Sequence, residues 1–182
     1  MLSAFDDEWE RVSKPALIAW VAFYLLFLTY AAFNRTGFLF IDYVNLPIHE
    51  GGHLVFGWFG ETIGVAGGTL MQLLVPAALA VYFAARRQPT GTAFCAFFLF
   101  ENLLNISTYM ADARAQQLPL VTAGNGEEVV HDWFFLFSKL GVLEHDIGIA
   151  RLVRLAGWVG MLGTVLWLVR RGIPAEAARE SQ

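Results

Sequence analysis

The sequence predicts an all-α, polytopic helical membrane protein, and three observations carry that prediction. Of its 182 residues, 57% are hydrophobic and only 15% charged, too few charges to cover a soluble domain of this size. The mean hydropathy is +0.52. The apolar residues fall in runs long enough to cross a bilayer, which takes about 20 residues per helix. One integral membrane domain, residues 1–182, is expected, with membrane lipids as its immediate surroundings. A net charge of −4 without a basic tract excludes nucleic acid as a partner. Cys95 is the single cysteine, so no internal disulfide forms.

Five spans and one shorter helix account for the runs. Residues 1–14 are polar and read as a short amphipathic or frayed helix, with Trp9 and Lys14 at the membrane interface. Acidic Asp6, Asp7 and Glu8 stand where a signal peptide would be basic, so the first apolar run, 16–33, reads as a retained span. The second, 38–59, carries Asp42, Asn45, His49 and His53 at helical spacing, with Pro47 suggesting a kink or a restart capped by Asn45. A glycine-rich connection at 60–67 leads to the third span, 68–85, where Gln72 needs a hydrogen-bond partner on another helix. The fourth, 92–111, ends in a polar stripe of Glu101, Asn105, Thr108 and Asp112. The apolar run 134–143 is too short to span and reads as interfacial or re-entrant. The last span, 149–169, presents Ala156, Gly160 and Thr164 as a packing face. Five spans place the two ends of the chain on opposite sides. The basic residues slightly favour Arg35, Arg86, Arg87, Arg170 and Arg171 inside, with Arg11, Lys14, Arg114 and Lys139 outside.

His49-Glu50-Gly51-Gly52-His53 is the stretch that carries chemistry. Each charged group in hydrocarbon costs about 2.5–3.5 kcal/mol, so ionisable side chains persist there only with partners or a function. Histidines four apart share a helix face and suit zinc (Zn2+), and the glutamate between them suits a general base. A catalytic zinc needs a third protein ligand. Asp112 is the leading candidate because the polar stripe leads to it; His131 and Asp132 are the alternatives, and Glu101 is more remote. Asp42, Asn45, Gln72 and Asn105 would orient the imidazoles from one layer out or line a cleft. Arg114 anchors at the interface, pairs with a carboxylate or polarises a substrate carbonyl, and His145 and Asp146 read as surface residues.

The intramembrane His49-Glu50-x-x-His53, with a glycine-rich turn and a distal Asn105-to-Asp112 segment, resembles the site-2 protease group of intramembrane zinc metalloproteases. The resemblance covers the second to fourth spans. It implies zinc on His49, His53 and a distal aspartate, with Glu50 as general base and a transmembrane peptide as substrate. The family's proline-rich aspartate motif is missing around Asp112. Gln72-Leu73-x-x-Pro76, Asn105 to Arg114 and His131-Asp132-Trp133 also look like a set of bacterial membrane proteins, which implies a bacterial inner (cytoplasmic) membrane. Two other expectations stand beside the protease. One is a zinc-dependent hydrolase of a lipid-like substrate, the other a non-catalytic structural or assembly subunit bound to other membrane subunits.

Overall fold

In the computed structural model, residues 8–119 and 131–172 are described. Asp6 and Asp7, the stretch from Leu120 to Val130 and the polar tail lie outside them. Six helices follow in order: α1 (Lys14–Phe33), α2 (Asp42–Phe56), α3 (Glu61–Ala85), α4 (Pro89–Ala111), α5 (Asp132–Leu140) and α6 (Asp146–Gly172), with 3-10 turns at Gly57–Phe59 and Leu143–His145. No strand occurs among the described residues. Four helices, α1, α3, α4 and α6, are long and apolar enough to cross a membrane.

The expected fifth span is the main difference. α2 has 15 residues, about 22 Å of helix against a hydrocarbon core of about 30 Å. Its first four expected residues are not helical. Asn34 Oδ1 instead accepts the Gly37 N–H and the Thr36 hydroxyl, Gly37 takes a positive φ of 73°, and Leu39 is buried in the core. The helix starts where the Asp42 carboxylate accepts the Leu39 N–H. It runs on through Pro47, whose missing N–H would only have bonded within the first turns. Asn45 is therefore not a cap.

α3 begins seven residues before the expected start, absorbing the glycines read as a connection. Glycine is costly in an isolated helix, but here it lets two backbones touch. A Cβ on Gly67 would lie 2.6 Å from the Gly52 carbonyl oxygen of α2, so this antiparallel pair tolerates no side chain at either position.

α1, α4 and α6 pack through larger side chains. Tyr24 and Leu28 of α1, Phe97 and Leu104 of α4, and Met161 and Leu168 of α6 form one apolar core, with the Tyr24 and Phe97 rings 4.6 Å apart. α6 approaches α4 at Gly157 and Gly160, where a Cβ would meet the Phe100 backbone or ring. The packing face thus runs Gly157, Gly160 and Thr164, with Ala156 exposed.

Trp9 ties three helix ends together. Its ring lies 5.3 Å from Trp167, with the guanidinium groups of Arg171 at 4.6 Å and Arg87 at 5.7 Å. Residues 8–13 are not helical, and the Glu10 N–H donates to the Arg87 carbonyl. The start of α1, the α3–α4 turn and the end of α6 therefore share one end of the bundle. An even number of long helices puts them there, where five spans would have separated them.

Candidate metal centre

α2 presents Asn45, His49 and His53 along one face, and α3 and α5 close over it. His49 Nε2 lies 2.9 Å from Asp132 Oδ2, and His53 Nε2 lies 3.3 Å from the same oxygen. One donor atom from each of the three residues falls within 4.8 Å of the others, so the group could hold a metal ion. Asp132, rather than Asp112, joins the histidines.

The hydrogen bonds behind the rings decide what the front can do. His53 Nδ1 lies 2.8 Å from the Gly64 carbonyl, which only accepts, so Nδ1 carries the hydrogen. His49 Nδ1 lies 2.8 Å from Gln72 Oε1. The Gln72 amide is oriented because its Nε2 donates to Asn102 Oδ1 and Asn105 Oδ1, and Asn102 in turn donates to the Phe98 carbonyl. His49 Nδ1 therefore also donates. In both neutral rings Nε2 is left with a lone pair. Two such lone pairs converge on a carboxylate oxygen, which has only lone pairs to offer.

That arrangement requires positive charge. Two imidazolium protons would meet the need, and so would one divalent cation, charge for charge. Ligands about 2.0–2.1 Å from a tetrahedral zinc stand roughly 3.3 Å apart, close to the 2.9 and 3.3 Å that separate the two Nε2 atoms from Asp132 Oδ2. Two imidazoles and one carboxylate also leave a fourth position open, as catalytic zinc sites do. The residues fit the metal.

Local structure explains each placement. A Cβ at Gly68 would collide with the His49 imidazole, so glycine there makes room for the ring. Asp132 is the first residue of α5, where the helix dipole favours a carboxylate, and its N–H donates to the Tyr109 hydroxyl. Burial pushes the Asp132 carboxyl up, but the His49 and His53 hydrogen bonds outweigh it and hold the group below the usual carboxylate range.

The other expected residues do different things. The Asp112 carboxylate accepts the Gln117 and Leu118 N–H groups and lies 3.5 Å from His131 Nε2, so it shapes the loop after α4. His131 Nδ1 accepts the Phe134 N–H and caps α5; burial lowers its basicity. Glu101 and Asp42 face each other at the start of α2. Neither Asp42 nor Asn45 supports an imidazole, whereas Gln72 does. Arg114 forms a bidentate pair with Asp146 and reaches Glu144, so Asp146, 1% exposed, is no surface residue. Glu50 lines a cleft of about 470 Å3 with His49, Tyr43, Asn105 and Tyr109.

Gly68 and Tyr109 went unremarked in the sequence. Gly68 stands nineteen positions after His49 without a motif to tie them, and Tyr109 looks like one more aromatic residue in an apolar helix. Comparison with protein-family models, curated proteins and solved structures finds no match for this chain.

Proposed function

We propose that the chain is an integral membrane zinc hydrolase that cleaves a peptide bond in or near the bilayer. The observation supporting it most is the convergence of His49 Nε2, His53 Nε2 and Asp132 Oδ2, with both Nδ1 hydrogens already committed. Zinc bound there would act as a Lewis acid and bring the pKa of a water toward about 7. Gln72 and the Gly64 carbonyl hold the imidazoles in the binding tautomer. Glu50, in the same cleft as His49, takes a proton from the attacking water on its carboxylate and delivers it to the leaving nitrogen.

The four long helices supply the membrane frame, and α2 enters it only part-way. Non-helical backbone at that depth needs hydrogen-bond partners, and between residues 34 and 41 the Gly37, Phe38, Leu39 and Phe40 N–H groups donate to Asn34, Thr36, Asp42 and Tyr30 side chains. The end marked by Trp9 carries Arg11, Lys14, Arg86, Arg87, Arg170 and Arg171, against Arg35, Arg114, Lys139, Arg151 and Arg154 toward the other, and the positive-inside rule by that small excess favours the Trp9 end as cytoplasmic. His53 and Asp132 then lie toward the opposite face, and the cleft is lined by the exposed side chains of Phe38 and Tyr43.

The test is metal content and cleavage in detergent. Wild type should hold one zinc and cut a model transmembrane peptide, and Glu50→Gln should keep the zinc and lose cleavage. A metal-free wild type would reject the hydrolase and favour the structural subunit. Zinc without peptide cleavage, but with release of fatty acid from a phospholipid, would move the substrate to lipid.

A further inference from the structure

The zinc chemistry leaves a second cluster on α2 unused. Asp42 and Asn45 are each 1% exposed and Glu101 is 0% exposed. Glu101 is twelve residues into α4, about 18 Å from its start, so the cluster sits near the middle of the bundle. Asp42 faces Glu101 from α2, and the Asn45 amide lies against both. Among the described residues neither carboxyl has a basic partner. The other polar groups nearby are neutral: Gln72 of α3 donates to Asn102 and Asn105 of α4, and the Asn105 amide also lies against Asp42.

The two carboxyls are provided for unequally. Asp42 accepts the Leu39 N–H and, at 3.0 Å, the Asn45 Nδ2–H, and it lies in the first turn of α2, where the helix dipole favours negative charge. Both Glu101 oxygens and Asn45 Oδ1 are buried without any donor. Two ionised carboxylates facing each other away from water repel strongly, and an unpaired charge at that depth is expensive.

We propose that Asp42, Asn45 and Glu101 form a proton-binding site in the middle of the bundle, with the proton on Glu101 and directed to the Asp42 carboxylate. One hydrogen turns the orphaned Glu101 carboxylate into a donor toward the Asp42 carboxylate that faces it. It leaves the other Glu101 oxygen as a neutral carbonyl oxygen and the single negative charge on Asp42, where donors await it. Asn45 and Asn105 also line the cleft beside His49, so the proton exchanges with water there. The site is independent of zinc: its donors are all oxygens, and none of its residues is a ligand of the metal centre.

Infrared spectroscopy of the full chain in lipid nanodiscs, at neutral pH with choline as the only added cation, tests this. Wild type should show the carbonyl stretch of a protonated carboxylic acid. Glu101→Gln should lose it while keeping the helical content and elution volume of wild type, and Asp42→Asn should retain it. A wild type without that band overturns the proposal. So does a band that disappears saturably as sodium is added, which would make a metal ion the occupant. Loss of the band in Asp42→Asn, with retention in Glu101→Gln, would place the proton on the wrong carboxyl and equally overturn it.

Discussion

α2 carries two polar clusters on one face, and they are satisfied in opposite ways. Around His49 and His53 the hydrogens are all committed backwards, to Gln72 and the Gly64 carbonyl, so lone pairs meet in front. Around Asp42 and Glu101 there are too few hydrogens, and oxygen acceptors are stranded. Both clusters lack positive charge, but two imidazole nitrogens beside a carboxylate suit zinc, whereas two buried carboxyls facing each other suit a proton. The spacing along the helix is the same; the atoms behind each side chain make the difference.

That contrast can be broken most forcefully at Asp132. Asp132→Asn removes the only anionic ligand, and the zinc of the purified protein should fall from stoichiometric to a small residue by atomic absorption. Asp112→Asn should leave the zinc content as it is, because Asp112 serves loop backbone. Equal loss in both variants would show that the loop, not the ligand, matters. Gln72→Leu comes next. It leaves the His49 Nδ1 hydrogen without its acceptor and should weaken zinc about 10–100-fold in a competition titration with a chelator; unchanged affinity would remove the tautomer argument. Gly68→Ala is smaller and acts through sterics. Crowding the His49 ring should cost about 1–3 kcal/mol, read as a lower melting temperature in the zinc-loaded form. The smallest effect is expected of Asp112→Asn on stability, about 0.5–1.5 kcal/mol, because the amide oxygen still accepts one of the two backbone N–H groups; the same melt measures it.

Much of the frame was legible because long apolar helices announce themselves locally. The bounds of α1, α4 and α6 follow from runs of apolar residues flanked by Asn34, Arg86-Arg87 and Arg170-Arg171. Two residues of the candidate metal group were equally legible, since His49 and His53 lie on one helix and a spacing of four puts them on one face whatever surrounds it. α2 was misjudged for a physical reason. Phe38 to Ile41 are apolar enough to extend the helix, but the Asn34–Gly37 turn and the Asp42 bond to Leu39 hold them out of it. The glycines of α3 read as a loop because their compensation, contact with Gly52, lies on another helix.

The third residue of the candidate metal group shows where local reasoning ends. Asp112, His131 and Asp132 are all plausible by chemistry, and the polar stripe of α4 points to the first. What separates them is a pair of chain-level events: Asp112 is taken up by the Gln117 and Leu118 N–H groups, and His131 by capping α5, which turns Asp132 toward the histidines. The sequence by itself determined the helical class, the apolar spans and the histidine pair, because each depends on residues within a few turns of one another. Only the tertiary structure decided the half-length of α2, the choice of Asp132 and the meeting of Asp42 with Glu101, because each depends on backbone donors and glycine contacts supplied by segments tens of residues away.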